Sequence, residues 1–193
     1  MKFEINGRYV LKAILLIHVG LALFDLRFLI IPWIFILGNL WTLYTKPLGG
    51  QWVPADINKI RRMLEIAKLK PGEVLYDLGS GDGRIIAEAI RRYKVKAVGV
   101  EIDWLRVLIS RLKLRLEKLD RQAQIKHGNL FDTDLRDADV VTLYLLPATV
   151  NKLKSKFKKE LKSGSHIVSL QFPISNWKPI KVDKKLKIFV YKI

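Results

Sequence analysis

The stretch Val74–Arg84 constrains the fold more than any other part of the chain. A short apolar run ends in Asp77 and is followed by glycines at positions 79, 81 and 83, after which a helix-like segment begins. Glycine adopts positive φ readily and lets a ligand approach bare backbone, and the first N–H groups of a helix can donate hydrogen bonds. The stretch therefore predicts a strand, a tight turn and a helix N-terminus that together form a ligand-binding loop.

The spacing of the glycines separates several kinds of loop. An ordinary strand-to-helix turn needs one glycine, and a P-loop ends in Lys-Ser/Thr, which is absent here. A dinucleotide fingerprint needs a glycine at position 84, which is Arg84. The pattern Asp-x-Gly-x-Gly-x-Gly resembles motif I of the class I S-adenosylmethionine-dependent methyltransferases. That resemblance implies S-adenosyl-L-methionine as the cofactor, with these residues binding it: Asp77, Gly79, Ser80, Gly81 and Gly83.

Two further polar residues follow predicted strands. Glu101 ends the strand after the glycine loop, where an acid can accept hydrogen bonds from both ribose hydroxyls. Similar methyltransferases often present a Gly-Asp carboxylate to the adenine amino group after the third strand. This chain has Gly128-Asn129 there, so the amide carbonyl of Asn129 has to accept that hydrogen bond, with Asp132 as a second candidate. Their neighbours Ile102 and Leu130 are further candidate cofactor-binding residues.

The order of apolar segments indicates the fold class. Strand-like and helix-like patterns alternate after residue 57, and the pattern of Ile180–Ile193 predicts a closing pair of antiparallel strands. We therefore expect an α/β fold, a Rossmann-like, doubly wound and mostly parallel sheet with a C-terminal antiparallel strand. A leucine series predicts a helix whose other face is basic, which is usually a solvated face or one that meets lipid headgroups. The series comprises Leu105, Leu108, Leu112, Leu116 and Leu119.

Several motifs outside the glycine loop narrow the resemblance. They are Trp52-Val53-Pro54 before a helix, Tyr144-Leu145-Leu146-Pro147, and Phe172-Pro173-Ile174-x-x-Trp177. With Gly128-Asn129, they make residues 50–193 resemble the small archaeal protein-lysine methyltransferases and their mitochondrial relatives. This resemblance implies a protein substrate carrying a target lysine, with membrane proteins among the substrates, and an N-terminal membrane segment. Trp52 is a further candidate cofactor-binding residue.

Three aromatic residues are candidates for the substrate channel. Tyr144, Phe172 and Trp177 follow predicted strands, at the end of the sheet where the transferring methyl group is expected. Lysine must lose its proton before it can attack, and a partly desolvated aromatic channel disfavours its charged form. The same rings can attract the incoming ammonium through cation–π contacts.

The first 46 residues differ in composition from the rest. Two apolar runs, Tyr9–Phe24 and Phe28–Tyr44, would each span roughly 25 Å as helices, slightly less than a bilayer's hydrocarbon layer. They predict a membrane-associated helical hairpin or a single transmembrane helix, with the flanking bases and hence the catalytic domain on the cytoplasmic side. We expect a membrane-associated segment at 1–46, a connector at 47–56 and a methyltransferase domain at 57–193.

Charge leaves the acceptor open. The chain carries 35 Lys and Arg against 18 Asp and Glu, a net charge of +17, which suits RNA, an anionic membrane or an acidic protein. It has no cysteine, and its three histidines show no metal-ligand spacing, so no metal site is expected. The second hypothesis for the function is an RNA methyltransferase, and the third is a non-catalytic cofactor-binding membrane scaffold.

Overall fold

The chain divides into two compact units, Met1–Pro47 and Leu48–Ile193. In the computed structural model, residues 7–24, 30, 32–34, 36–37 and 53–193 are described. The second unit contains the whole sheet and every candidate site residue, of which Trp52 lies outside the described residues.

In the first unit, helix α1 spans Gly7–Phe24, so the helix predicted from the first apolar run is confirmed. Helical backbone also occurs at residues 30, 32–34 and 36–37, inside the second run. The predicted pairing of the two runs as a hairpin falls outside the described residues. The predicted transmembrane helix is not found in the described part of the chain, where no helix is both long and apolar enough to cross a membrane.

The second unit is built on a seven-stranded sheet in the order β3-β2-β1-β4-β5-β7-β6. Strands β1 to β5 are parallel, and β7 runs antiparallel to both β5 and β6, as the sequence predicts. The strands are β1 Val74–Leu78, β2 Lys96–Glu101, β3 Ala123–His127, β4 Val140–Leu143, β5 His166–Leu170, β6 Lys181–Asp183 and β7 Ile188–Lys192.

The strand order reverses between β1 and β4, and this position locates the site. After β1 the chain builds β2 and β3 on one side, and it then returns to add β4 on the other side of β1. Loops that leave the two central strands diverge to opposite faces there, which opens a crevice at the carboxyl edge of the sheet. The glycine loop leaves β1 at this edge.

Helices cover both faces of the sheet, and two apolar clusters separated by it form the core. In helix α2, Ile57–Ala67, the side chains of Ile60, Met63 and Leu64 are buried, while Ile57 is exposed. Asp56 caps α2, because its carboxylate accepts hydrogen bonds from the N–H groups of Asn58 and Lys59. The helices are α2 Ile57–Ala67, α3 Arg84–Tyr93, α4 Trp104–Leu116, α5 Pro147–Lys152 and α6 Lys154–Glu160.

Helix α4 is oriented differently from what its leucine series suggests. Its buried residues are Val107, Ser110 and Leu114, which face the sheet. The leucines at 105, 108, 112 and 116 are all exposed, and only Leu119, beyond the helix, is partly buried. The series predicts the helix correctly but marks its outer face.

Candidate functional site

The glycine loop between β1 and α3 has the conformation that its sequence requires. Gly79, Gly81 and Gly83 all have positive φ, at 81°, 55° and 75°. The N–H groups of Gly79 and Ser80 both donate to the carbonyl oxygen of Val100 in β2, at 2.8 and 3.0 Å. The loop is thus pinned to the neighbouring strand, and a side chain at any of the three glycines would strain it.

Close packing beneath the loop depends on a fourth glycine. A Cβ atom at Gly99, in β2, would lie 2.7 Å from the hydroxyl oxygen of Ser80 and 2.8 Å from the Cδ1 atom of Ile125. Ser80 is buried and occupies the space that Gly99 leaves. The loop therefore lies directly on the backbone of β2.

Asp77 lies at the centre of the sheet, one residue before β1 ends. Its neighbours in register are Gly99 in β2 and Thr142 in β4. The Thr142 hydroxyl donates to Oδ1 of Asp77 at 2.8 Å, and Oδ2 is buried with no hydrogen-bond partner among the described residues. Asp77 thus presents one buried acceptor oxygen without a donor.

Burial dominates the electrostatics of Asp77. Loss of solvent raises the pKa of its carboxyl to about 7, against the opposing effect of the Thr142 hydrogen bond, and the charges of Glu101 and Asp82 add to the increase. Burial therefore favours the neutral form of Asp77 far more than that of an exposed aspartate.

Glu101, at the end of β2, holds the middle of the loop. Its Oε2 atom accepts the N–H of Gly81 at 2.8 Å, and its Oε1 atom accepts the N–H of Asp103 at 2.9 Å. The side chain is buried, yet a carboxylate has about four acceptor positions, so each oxygen retains acceptor capacity. Glu101 therefore lies beside the glycine loop, as the spacing predicts.

Asp82 and Arg84 connect the loop to the segment before α2. Arg84 donates to both carboxylate oxygens of Asp82 at 2.9 Å and, through Nη1, to the carbonyl oxygen of Ala55 at 2.9 Å. Partial burial acts to raise the pKa of Asp82, but the hydrogen bonds from Arg84 and the nearby Lys113 outweigh it and lower that pKa. The ionised form of Asp82 is therefore favoured, and Arg84 links the loop to Ala55.

The predicted adenine-side residue Asn129 and its neighbour Leu130 lie after β3, and the candidate Ile102 follows β2. Asn129 is exposed, and its Oδ1 atom accepts the N–H of Phe131 at 3.1 Å. Leu130 and Ile102 are half-buried, and the Ile102 carbonyl oxygen lies 3.0 Å from Nε2 of His127. The Asn129 amide oxygen thus shapes its own turn and has one lone pair left, so its role towards adenine stays a prediction.

The three aromatic candidates do not form one cluster. Tyr144 packs against the core cluster that contains α2 and α3, whereas Trp177 packs against the cluster on the other face. Trp177 makes an edge-on contact with Tyr191 at 6.1 Å between ring centroids, and Nζ of Lys158 lies 5.8 Å from its ring. Phe172 is half-buried just beyond the carboxyl end of β5. The shared substrate channel stays a prediction.

Sequence reasoning missed three residues that support the site. Thr142 holds Asp77, Gly99 makes room for Ser80, and Arg84 links the loop to Ala55. A signal existed for Thr142, since it is the one polar residue within β4, Val-Val-Thr-Leu. A buried hydroxyl in an apolar strand needs a hydrogen-bond partner.

The arrangement determines what kind of ligand fits. The loop N–H groups of Gly79, Ser80, Gly81 and Gly83 already donate within the protein, so they are not a phosphate cradle. The site offers acceptors instead, chiefly Asp77 and Glu101, and these suit ammonium and hydroxyl donors. S-adenosylmethionine, with its α-ammonium and ribose hydroxyls, matches that set. Within the described ranges, no group of His, Cys, Asp or Glu side chains could hold a metal ion.

Comparisons with known proteins agree with this chemistry. The family model for the ANTKMT methyltransferase domain matches residues 77–181. A protein-lysine N-methyltransferase of Saccharolobus islandicus is 43% identical over 134 residues, which cover 69% of this chain and 83% of that protein. The adenine nucleotide translocase lysine N-methyltransferase of Mus musculus is 30% identical over 153 residues, 75% of this chain and 66% of that longer protein.

A solved structure is also similar. It is an RNA methyltransferase from Salinibacter ruber in complex with S-adenosyl-L-homocysteine, 37% identical to this chain. The match covers 73% of this chain and 94% of that one, with a TM-score of 0.71.

Proposed function

Because the chain belongs to the ANTKMT family of S-adenosylmethionine-dependent protein-lysine methyltransferases, we propose that it methylates the ε-amino group of a lysine in a protein. The observation that carries this proposal is the similarity to the archaeal protein-lysine N-methyltransferase across most of that enzyme. The acceptor is a protein with an accessible lysine, membrane proteins included.

The residues at the carboxyl edge of the sheet would hold the cofactor. S-adenosylmethionine would supply a methyl group on a sulfonium: a neutral amine would attack the methyl carbon as the C–S bond breaks, S-adenosylhomocysteine would leave, and the methylated ammonium would release a proton. In this proposal Asp77 accepts from the ammonium of the methionine portion, Glu101 accepts from the ribose hydroxyls, and Asn129 accepts from the adenine amino group. The rigid loop holds the backbone close to the ligand, which supports catalysis by alignment.

The acceptor lysine needs an environment that removes its charge. An ammonium group has no lone pair, and apolar surroundings favour the neutral amine. Tyr144, Phe172 and Trp177 follow strands β4 and β5 and are the aromatic groups proposed to supply such surroundings, with cation–π attraction for the arriving ammonium.

Cofactor affinity tests the site. We expect Asp77→Ala and Glu101→Ala each to weaken S-adenosylmethionine binding by about tenfold or more, because each removes a charged hydrogen-bond acceptor. Isothermal titration calorimetry on the full chain measures this, with circular dichroism to confirm folding. The matched control is Asp134→Ala, whose exposed carboxylate pairs with Arg136 away from the loop. Unchanged affinity in both site variants would refute the assignment.

Methyl incorporation tests the acceptor. The full chain is incubated with methyl-tritiated cofactor and a cell extract, and the labelled material is treated with protease or with ribonuclease. We expect the label to be released by protease, resist ribonuclease and yield methyllysine on hydrolysis. Glu101→Ala, prepared in parallel, is expected to give background incorporation.

RNA is the second candidate acceptor, because the Salinibacter ruber protein is an RNA methyltransferase and this chain carries a net charge of +17. Label that ribonuclease releases and protease does not would favour RNA and overturn the protein-lysine proposal. Binding of RNA alone would not, since a basic surface binds polyanions without sequence preference.

We also propose that the N-terminal unit associates with a membrane and that the catalytic domain lies on its cytoplasmic side. Support comes from the two apolar runs and from α1, where Leu11 and Leu16 are 71% and 73% exposed. Fractionation of cells expressing the full chain tests this. We expect the protein in the membrane pellet after a high-salt wash, and recovery in the supernatant would contradict the proposal.

A further inference from the structure

Helix α4 exposes a continuous apolar face on the catalytic domain. Five large apolar side chains lie on it, each at least 43% exposed, and Leu116 is 74% exposed. A helix on the surface of a water-soluble domain normally directs its large apolar side chains towards the core. The set, called here the α4 stripe, comprises Leu105, Leu108, Ile109, Leu112 and Leu116.

The α4 stripe lies opposite the face that packs on the sheet. At about 100° of rotation per residue, its five members fall within an arc of roughly 100°, centred almost half a turn from the buried residues. Those buried residues are Val107, Ser110 and Leu114. Inward packing of α4 is therefore complete without the stripe, and the stripe cannot reach the domain core.

Basic residues border the stripe along both edges. The same rotation places Arg106 and Lys113 beside one edge and Arg111 and Arg115 beside the other, and Lys118 follows two residues after the end of the helix. The Nζ atom of Lys113 lies 3.6 Å from Oδ2 of Asp82. The guanidinium group of Arg111 donates to the carbonyl oxygen of Ile125. No salt bridge joins Arg115 or Lys118 to a carboxylate in the described part of the chain.

We propose that the α4 stripe is an interfacial membrane-binding surface, on which α4 lies parallel to an anionic bilayer. An apolar face bordered by Lys and Arg on both sides is the arrangement by which interfacial helices bury their apolar side chains among the acyl chains and place their cations at the headgroup phosphates. This surface belongs to the catalytic domain, and the proposal does not depend on the N-terminal unit.

A bilayer fits this surface better than a second copy of the chain. Two copies joined through the stripe would bring two sets of basic borders together, and such like-charge contacts oppose association. An anionic bilayer neutralises both borders at once. Because only two residues separate the end of β2 from the start of α4, the first turn of α4 lies at the carboxyl edge of the sheet, so binding would hold the glycine loop near the lipid surface.

The absence of cysteine from the sequence makes a local test possible. A single Leu112→Cys change in the full chain allows attachment of a polarity-sensitive fluorophore to the stripe. The matched control is Ile180→Cys, because Ile180 is similarly exposed at 59%, against 56% for Leu112, but belongs to the loop before β6. Both labelled proteins are mixed with vesicles of pure phosphatidylcholine, or of phosphatidylcholine with phosphatidylserine and spin-labelled lipid.

The label at position 112 is expected to shift to the blue and to be quenched by the spin-labelled lipid in anionic vesicles, while the label at position 180 does neither. The signal reports the position of α4 itself, so it answers the question even if α1 binds the same vesicles. A label at 112 that stays in water, or that responds equally in neutral vesicles, would overturn the proposal. A blue shift without vesicles would also overturn it, since the stripe would then be covered by protein.

Charge variants test the basic border separately. Arg115→Gln and Lys118→Gln, made in the Leu112→Cys protein, are each expected to raise the anionic lipid concentration for half-maximal shift by about fivefold. The control Lys184→Gln, an exposed lysine near β6, is expected to have little effect. Equal responses from all three variants would refute a role for the border, and with it the proposal.

Discussion

Asp77, the proposed acceptor for the cofactor's ammonium, is a single residue whose burial lowers the stability of the fold at neutral and higher pH. Its carboxyl is fully buried, receives one hydrogen bond from Thr142, and has its pKa raised to about 7. The ordinary value, 3.8, applies to the unfolded chain. Between these two values the folded protein retains a proton that the unfolded chain releases, so stability from this group is present below pH 4 and is lost as the pH rises through 7.

Replacement of Asp77 by asparagine removes this titration. We expect Asp77→Asn to be more stable than wild type at pH 8, by up to about 4 kcal/mol, with the difference shrinking towards pH 4. Urea denaturation from pH 4.5 to 8 measures the difference. We expect cofactor affinity to fall at the same time, because an amide oxygen is a weaker acceptor than a carboxylate.

Asp139 is the matched control, because the pKa of its carboxyl is shifted in the opposite direction. Partial burial acts to raise its pKa, but the hydrogen bonds from Lys162 and from the Val74 N–H outweigh it and lower that pKa. Asp139→Asn is thus expected to lose stability relative to wild type as the pH rises above the carboxyl's titration range. If both variants gained stability with pH, a general effect of removing a carboxylate would explain the result and burial of Asp77 would not.

Gly99 is a second residue whose replacement is expected to have a specific effect on stability. An added methyl group would meet Ser80 and Ile125 at 2.7 to 2.8 Å, so Gly99→Ala is expected to destabilise the domain by about 1–3 kcal/mol and to displace the loop. The control is Gly128→Ala, because nothing lies within 4 Å of the added atom there. Thermal unfolding of both proteins compares them, and equal melting temperatures would contradict this packing.

Some of these residues can be predicted from the sequence and others cannot, and the difference has a physical reason. Asp77 and Glu101 are visible because their positions relative to glycines and strand ends follow from local chain geometry. Thr142 and Gly99 are neighbours of Asp77 only through strand register, over separations of 65 and 22 residues. Such pairings depend on tertiary structure, which no local spacing encodes.

At the scale of elements, strand β7 supports the loop that carries Phe172 and Trp177. The hydroxyl oxygen of Tyr191, a residue only 1% exposed, accepts the N–H of Ile174 at 2.9 Å. Loss of that oxygen would leave a buried N–H without a partner, which costs about 1–3 kcal/mol. The antiparallel return of β7 thus positions a predicted part of the acceptor site.

Tyr191→Phe is therefore expected to lower the free energy of unfolding by about 1–3 kcal/mol and to speed amide exchange at Ile174. Urea denaturation and hydrogen exchange measure the two effects. Tyr93→Phe is the control, since its hydroxyl makes no hydrogen bond to any described residue. A loss of equal size in both variants would mean that the hydroxyl bond to Ile174 is unimportant.

Helix α4 shows that a sequence pattern can predict a helix without predicting which of its faces is buried. The spacing of Leu105, Leu108, Leu112 and Leu116 correctly predicts a helix, because apolar residues recur at its period. The pattern does not say whether an apolar arc meets the core or another surface, and here the core takes a smaller arc that includes a serine, Ser110. Only the packing of β3 and β2 against α4 decides between the two arcs.

At the scale of the whole molecule, the fold could be predicted further than the site. Alternation of strand and helix patterns predicts the parallel sheet, and the final run of residues correctly predicts an antiparallel pair, β6 and β7. Position after a strand is the only feature that groups the three aromatic candidates in the sequence. Tyr144 packs against one core cluster and Trp177, in the loop after β5, packs against the other, and the path of such a loop is not encoded in local spacing.

The net charge of +17 belongs to the molecule and not to any one element. Bases outnumber acids by nearly two to one, so we expect repulsion among them to outweigh the ion pairs and to oppose the compact state. Salt shortens the range of that repulsion from about 30 Å at 0.01 M to about 8 Å at 0.15 M. We expect the melting temperature of the full chain, in non-ionic detergent, to rise by a few degrees over this range.

A charge-reduced variant gives the control. Lys152→Gln, Lys159→Gln and Lys184→Gln together remove three exposed positive charges, and we expect them to raise the melting temperature at low salt and to reduce the gain from salt. Sodium and potassium chloride should act alike, because screening depends on ionic strength and not on the cation. A melting temperature that fell with added salt would mean that attractive pairs, such as Arg62 with Asp183, outweigh the repulsion.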